Sequence, residues 1–167
     1  MHNFFIDANI PVSDEFINKV KNYINSATSE DWESVIEMTL LKLPLEFFET
    51  EPALIKIIKE FKAEERLSVY KTSANTSYFW HRDKIRAACF NVLLEGYDSM
   101  CLFANSPIDG MMSDLTKLPY EPGKVFLLNV SQLHTVLNFS QDRYLLSIGI
   151  PRPASFNDVS KYIKNNI

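Results

Sequence analysis

The chain has only three histidines, and two of them stand in patterns suited to metal chemistry. His81 lies in TSYFWHRDKIR, two positions before Asp83. If this segment is a strand, alternation places His81 and Asp83 on one face and Arg82 on the other, so an imidazole and a carboxylate converge. His134 opens HTVLNFSQDRYLLSIGI and follows a strand-like run, Lys124 to Val130. A neighbouring strand can therefore supply a third donor. Taken singly, each residue has an ordinary explanation: His-x-Asp arises by chance, and a strand histidine usually satisfies a hydrogen bond. The order and chemical type of the whole set carry the argument.

Two histidines and one carboxylate on one face of an octahedron leave three positions open. That is the arrangement of non-haem Fe(II) oxygenases, where the open positions take a bidentate cosubstrate and dioxygen. Arg143 supplies a fixed cationic fork for the far carboxylate of a dicarboxylate whose keto-acid end chelates the metal. Its plain alternative is a surface salt bridge. Ser147 shares the strand face of Arg143 and can offer a hydroxyl to the same carboxylate or equally bond only to backbone. Beyond Asp83, an unbroken strand would put Ile85, Ala87, Cys89 and Asn91 on the metal side, which makes Asn91 a candidate donor to the cosubstrate, its plain alternative being a buried amide satisfied by backbone. Tyr70 is a further candidate contact to the cosubstrate and Arg86 one to the substrate. Both also read as an ordinary rim tyrosine and surface charge. Trp80, facing away from His81, is expected in the core. The loop from Asn105 to Tyr120, with Pro107, Gly110, Met111, Met112 and Pro119, is long enough to act as a lid.

The elements that must position these residues change character near residue 65. Before it, the pattern is helical: Ser13 caps a helix with Phe16, Ile17, Val20, Tyr23 and Ile24 on one stripe, with Asp14 and Glu15 in its first turn. A second helix is expected from Ser29, fading towards Pro44. A third follows Thr50 as cap, with Pro52 in its first turn and Leu54, Ile57, Ile58 and Phe61 as its buried stripe. From Arg66 onward short β-rich runs are punctuated by Gly, Pro, Asn, Asp and Ser. Their connections are too short for helical crossovers, so the strands should pair antiparallel into a sandwich or barrel. The expected organisation is one domain, mainly β with flanking helices: residues 1–64 a mostly helical flank, 65–151 a jelly-roll core, and 155–165 a final helix capped by Ser155.

Composition narrows the function further. A chain of 167 residues with net charge −4 carries no basic block of the kind that recruits nucleic acid. Apolar runs such as Val125 to Val130 are far shorter than a membrane span, and MHNFFIDANIPVSD lacks the pattern of a secretory signal. A cytoplasmic protein is expected, with no membrane partner. Cys89 and Cys101 then read as buried thiols, not a disulfide.

HRD at 81–83 and HTVLNFSQDR at 134–143 resemble the 2-oxoglutarate and Fe(II)-dependent dioxygenase superfamily. The second is similar to the His, Asn, Ser and Arg pattern of its aspartyl/asparaginyl hydroxylase-like branch. The likeness covers roughly residues 65–151. It implies a double-stranded β-helix with His81, Asp83 and His134 as iron ligands and Arg143 as the 2-oxoglutarate anchor. Some members of that branch lack the carboxylate ligand, whereas Asp83 is present here. The implied activity is a hydroxylase using Fe(II), 2-oxoglutarate and dioxygen on a small metabolite, amino acid or peptide side chain. The competing readings are a cupin-like metal- or ligand-binding module and a metal-dependent isomerase, neither of which turns over 2-oxoglutarate. Nothing in the pattern names the substrate or an oligomeric state.

Overall fold

The computed structural model of the chain describes residues 4–105 and 112–167. His2 lies outside that range, as do Pro107, Gly110 and Met111 of the expected lid. Among the described residues, eleven strands form two sheets. The large sheet contains β1 (Phe5–Asp7), β2 (Trp32–Val35), β3 (Met38–Lys42), β4 (Leu67–Thr72), β6 (Arg86–Glu95), β9 (Phe126–Leu128) and β11 (Arg143–Pro151), in the order β1-β9-β6-β11-β4-β3-β2. The small sheet contains β5 (Ser77–His81), β7 (Met100–Asn105), β8 (Ser113–Lys117) and β10 (Leu133–Leu137), in the order β5-β10-β7-β8. Every pairing between described strands is antiparallel. This is the antiparallel pairing expected from the hairpin-length connections, in the double-stranded β-helix that the resemblance implied.

Alternation along the central strands explains the layering. On β6, Ala88, Phe90, Val92 and Leu94 face outward, and on β11 so do Leu146, Ile148 and Ile150. They join one apolar core with Phe16 and Val20 of α1 (Asp14–Ser26), Leu54, Ile57 and Ile58 of α2 (Pro52–Glu60) and Val159 and Ile163 of α3 (Phe156–Asn166). Each such side chain contributes about 1.5–3 kcal/mol by leaving water, so the helices clamp the back of the large sheet. The opposite faces of β6 and β11 look between the sheets. There a second, smaller core of Phe4, Cys89, Cys101, Phe103, Phe126 and Leu128 leaves room for polar residues.

Ser13 caps α1 by accepting from the Phe16 amide at 3.2 Å, and Ser155 caps α3 in a capping box with Asp158. At α2 the cap position is Glu51, not Thr50. The Glu51 carboxylate is buried and accepts from both the Ser13 amide and the Ser13 hydroxyl, tying the starts of α1 and α2 together.

The helix expected from Ser29 towards Pro44 is a β-hairpin instead. After a single 3-10 turn at Ser29–Asp31, β2 and β3 pair with each other, and β3 adds to the edge of β4. Trp32, Val35 and Thr39 favour a pleated surface, and Leu41 is buried against the sheet, which outweighs the weak helical spacing. The hairpin turns at Ile36, whose φ is 54°. The helical flank thus contributes β1, β2 and β3 to the large sheet. Part of the expected lid is also strand: β8 pairs with β7 at the edge of the small sheet. Among the described residues, no helix is long and apolar enough to cross a membrane.

Candidate metal centre and adjoining cavity

His81 is the last residue of β5 and stands directly opposite His134 of β10, with ring centroids 4.1 Å apart. The strand does not run on to Asp83 as the alternation argument required. Asp83 lies in the turn between β5 and β6, where its amide donates to the Val130 carbonyl at 2.9 Å. A register shift in β5, two residues opposite one of β10, brings both Tyr78 and His81 to the cavity side. Trp80 is correspondingly displaced from the core: it is half-buried and belongs to neither apolar cluster.

One donor atom from each of His81, Asp83 and His134 falls within 4.8 Å of the others, and no other such group of three occurs among the described residues. Nδ1 of His81 lies 2.9 Å from the Phe79 carbonyl, and Nδ1 of His134 lies 2.8 Å from the Gln132 carbonyl. A carbonyl only accepts, so each Nδ1 carries the proton and each Nε2 keeps its lone pair for a metal. Burial, with the neighbouring His81 ring second, pushes the His134 imidazole down to about 4, so it is neutral at physiological pH. Burial alone would raise Asp83, but its contacts with the His81 ring and the Arg86 cation outweigh it and hold the carboxyl at about 2. The trio is two imidazoles and a carboxylate, a donor set that suits a divalent first-row metal.

The space beside the trio, between the sheets, has a volume of about 500 Å³ including its open mouth. Tyr70, Arg86, Asn91, Arg143 and Ser147 line it from the large sheet, and His81 and His134 from the small one. All the candidate site residues therefore meet at one place, Asp83 joining through its contacts to His81 and Arg86. Asn91 arrives there on β6, paired with Ser147 of β11, and not on a continuation of the His81 strand.

Arg143 is 1% exposed. Its Nε donates to the Ser99 hydroxyl at 3.1 Å, and the Tyr120 ring lies under the guanidinium, 5.6 Å away. Arg143 Nη2, Ser147 Oγ and Asn91 Oδ1 are buried with no hydrogen-bond partner among the described residues. Asn91 Nδ2 donates to the Tyr120 hydroxyl at 3.2 Å. Buried polar groups are normally satisfied, so an unpaired guanidinium nitrogen, hydroxyl and amide oxygen lining one cavity suit a polar ligand. Gly96 makes the Arg143 backbone position accessible: its φ is +83°, and a Cβ there would fall 2.7 Å from Arg143 Cα.

Arg86, expected at most to touch substrate, is engaged within the site. Its Nε donates to Asp83 Oδ2 at 2.5 Å and its Nη1 to the Tyr70 hydroxyl at 3.4 Å. Asn138 and Ser140, part of the His, Asn, Ser and Arg pattern, build the turn before β11. Asn138 donates to the Thr72, Ser73 and Gln141 carbonyls, and Ser140 to Asp98. Sequence reasoning missed Ser99 and Tyr120, which reach Arg143 from the connections flanking β7 and β8. Cys89 and Cys101 are free, buried thiols, pushed up by burial to about 12 and about 11.

No protein-family model matches the chain, and no curated protein matches it by sequence. Solved structures do match by shape. A prolyl hydroxylase from Trichoplax adhaerens, in complex with a hypoxia inducible factor peptide fragment, superposes with a TM-score of 0.64 over 89% of this chain and 84% of its own, at 11% identity. A Pseudomonas putida prolyl-4-hydroxylase gives 0.62 over 90% and 94%, at 11% identity. HygX from Streptomyces hygroscopicus, with nickel, 2-oxoglutarate and hygromycin B bound, gives 0.59 over 90% and 83%, at 13% identity. The fold of this chain is the one these proteins share.

Proposed function

We propose that the chain is a non-haem Fe(II)- and 2-oxoglutarate-dependent dioxygenase, a hydroxylase acting on a small metabolite, amino acid or peptide side chain. The observation that carries this reading is the pairing, in one cavity, of a two-histidine, one-carboxylate trio with a buried arginine that has an orphaned Nη2. A metal alone would explain the trio. It would leave Arg143, Ser147 and Asn91 without purpose; a ligand-binding module or a metal-dependent isomerase could use them for an anionic ligand, but neither would release succinate.

In this reading His81, Asp83 and His134 hold the iron through Nε2, a carboxylate oxygen and Nε2. Arg143 receives the far carboxylate of 2-oxoglutarate, with Ser147, Asn91 and Tyr70 as its polar surround. Bound together, Fe(II), 2-oxoglutarate and dioxygen supply an oxidant able to attack a substrate C–H bond, with succinate and carbon dioxide as coproducts. The protein's share is preorganisation. The Phe79 and Gln132 carbonyls fix the imidazole tautomers, and Ser99 and Tyr120 hold the guanidinium fork where it is needed. Among the matched structures one carries a peptide and another hygromycin B, so the same scaffold serves both peptide and small-molecule substrates. Assignment to the aspartyl/asparaginyl hydroxylase-like branch rests on HTVLNFSQDR alone.

The test is anaerobic addition of Fe(II) and 2-oxoglutarate, watching for the weak visible charge-transfer band of the chelate, followed by succinate release in air. A wild-type protein with no band and no succinate rejects the proposal. Succinate release separates it from both rivals.

A further inference from the structure

The geometry points to Arg86 as a positioning residue that holds Asp83 by one oxygen so that the other faces the metal, an inference that rests on the iron-centre reading above. Asp83 Oδ2 lies 2.5 Å from Arg86 Nε, while Oδ1 lies 3.4 Å from His81 Nε2, on the side of the donor trio. The two carboxylate oxygens thus have different partners. The turn carrying Asp83 is held by the Asp83 amide bond to Val130, by Arg152, which donates to the Asp83 and Lys84 carbonyls, and by Arg82, which donates to the Ser131 carbonyl; these hold its backbone, while Arg86 holds the carboxylate itself through Oδ2.

Three features converge on placing this guanidinium. First, β6 carries a one-residue register shift against β11, so that Ala88 faces Ile150 while Arg86 faces Pro151. The extra residue, Ala87, turns Arg86 to the cavity face that also carries Cys89 and Asn91; regular alternation from Asn91 would have pointed it away. Second, the stem of Arg86 crosses β11 at Gly149, where a Cβ would stand 2.8 Å from Arg86 Cδ. The residue there is the one that leaves space. Third, Tyr70 on β4 receives Nη1 at 3.4 Å, so the fork is held at both ends. A bulge, a glycine and a tyrosine from three strands of the large sheet serve one contact to a ligand of the small-sheet metal centre.

Two effects of Arg86 on metal binding have opposite signs, and that makes the inference sharp. As a nearby cation it repels a divalent metal, so removing the charge would tighten binding. As the partner that orients the carboxylate it favours binding, and loss of such a partner weakens metal affinity by roughly 10–100-fold. Orientation dominates in this assignment.

Co(II) is titrated into wild type, Arg86→Gln, Arg86→Lys and Gly149→Ala, reading the dissociation constant and the visible spectrum of the bound ion. The expected result is weaker binding in all three variants with an altered Co(II) spectrum. Arg86→Lys keeps the charge but loses the planar Nε donor, and Gly149→Ala keeps the arginine but pushes its stem aside. Gly149→Ala also carries the test if Arg86→Gln does not fold. Tighter or unchanged Co(II) binding in Arg86→Gln, or in Gly149→Ala where Arg86→Gln does not fold, overturns the inference. If wild type binds Co(II), His134→Ala does not, and the Arg86 variants match wild type, the positioning role alone fails. If wild type binds no Co(II), the iron-centre reading fails and this inference with it.

Discussion

Arg143→Met, made together with Ser99→Ala so that no hydroxyl is stranded, should stabilise the protein while abolishing its response to 2-oxoglutarate. The guanidinium is 1% exposed, donates through Nε to Ser99, and keeps Nη2 unpaired. A buried unsatisfied donor costs about 1–3 kcal/mol, more when charged. The Tyr120 ring returns about 0.5–2 kcal/mol of that as a cation–π contact. Methionine fills the apolar length of the site without a charge to desolvate, so a net gain of about 1 kcal/mol is expected, or roughly 2–4 °C in melting temperature for a chain of this size. The cosubstrate loses two charge-assisted hydrogen bonds at about 1.5–3 kcal/mol each, which is roughly a 10²–10⁴-fold weaker dissociation constant. The assay is thermal melting with Mn(II) present, with and without 2-oxoglutarate. Wild type should melt later as cosubstrate is added, by mass action on the folded state. The double variant should start higher and stay there. A variant that melts below wild type refutes the argument from the orphaned donor, and one that keeps the full 2-oxoglutarate shift refutes the anchor.

His134→Ala should lose stoichiometric Fe(II) or Mn(II), measured as bound metal after desalting, whereas the Arg143 variant should retain it. Ile36→Gly should raise stability by about 1 kcal/mol. The residue is β-branched, 70% exposed and held at φ 54°, a conformation costing an L-residue about 1–2 kcal/mol, while glycine's extra chain entropy returns only part of that gain; chemical denaturation reads the difference. Asp142 accepts from Lys71 Nζ at 3.0 Å, and that hydrogen bond holds its carboxyl below the usual value. A depressed folded-state pKa gives stability that is present above about pH 4 and is lost as pH falls further. Asp142→Asn should therefore flatten the acid limb of the stability profile and lower stability at neutral pH, as melts taken across that range will show.

The parts of the site legible in the sequence were those whose residue types have few other uses. His81, Asp83 and His134 stood out by chemistry, and Arg143 with Ser147 by the period of two on a strand that proved regular. Asn91 reached the cavity for a different reason from the one that singled it out, because the chain leaves the small sheet after His81 and enters the large one at Arg86. That crossing, and the bulge at Ala87 that aims Arg86 at Asp83, are backbone irregularities with no residue signature. Ser99 and Tyr120 touch Arg143 only through long-range folding. The Ser29–Pro44 segment failed for a local reason: a short apolar run such as MTLLK suits either element, and the free edge of β4 decided it.

The metal centre sits at a seam. His81 ends β5, which is an edge strand of the small sheet, paired on one side only, with β10. His134 lies on β10 itself, and Asp83 in the turn that carries the chain across to the large sheet. Arg143 and Ser147, by contrast, lie on β11, flanked on both sides by β4 and β6. One half of the cavity is thus rigid by construction, and the other depends on a bond between an edge, its neighbour and a loop. An ion held by all three would act as a rivet, and its departure would release the edge strand first. Amides of β5 should then exchange with solvent faster in the metal-free protein than in the loaded one, while those of β11 keep their pace. Iron supply would in that way set local fraying as well as activity, making the same three side chains a clasp for the small sheet.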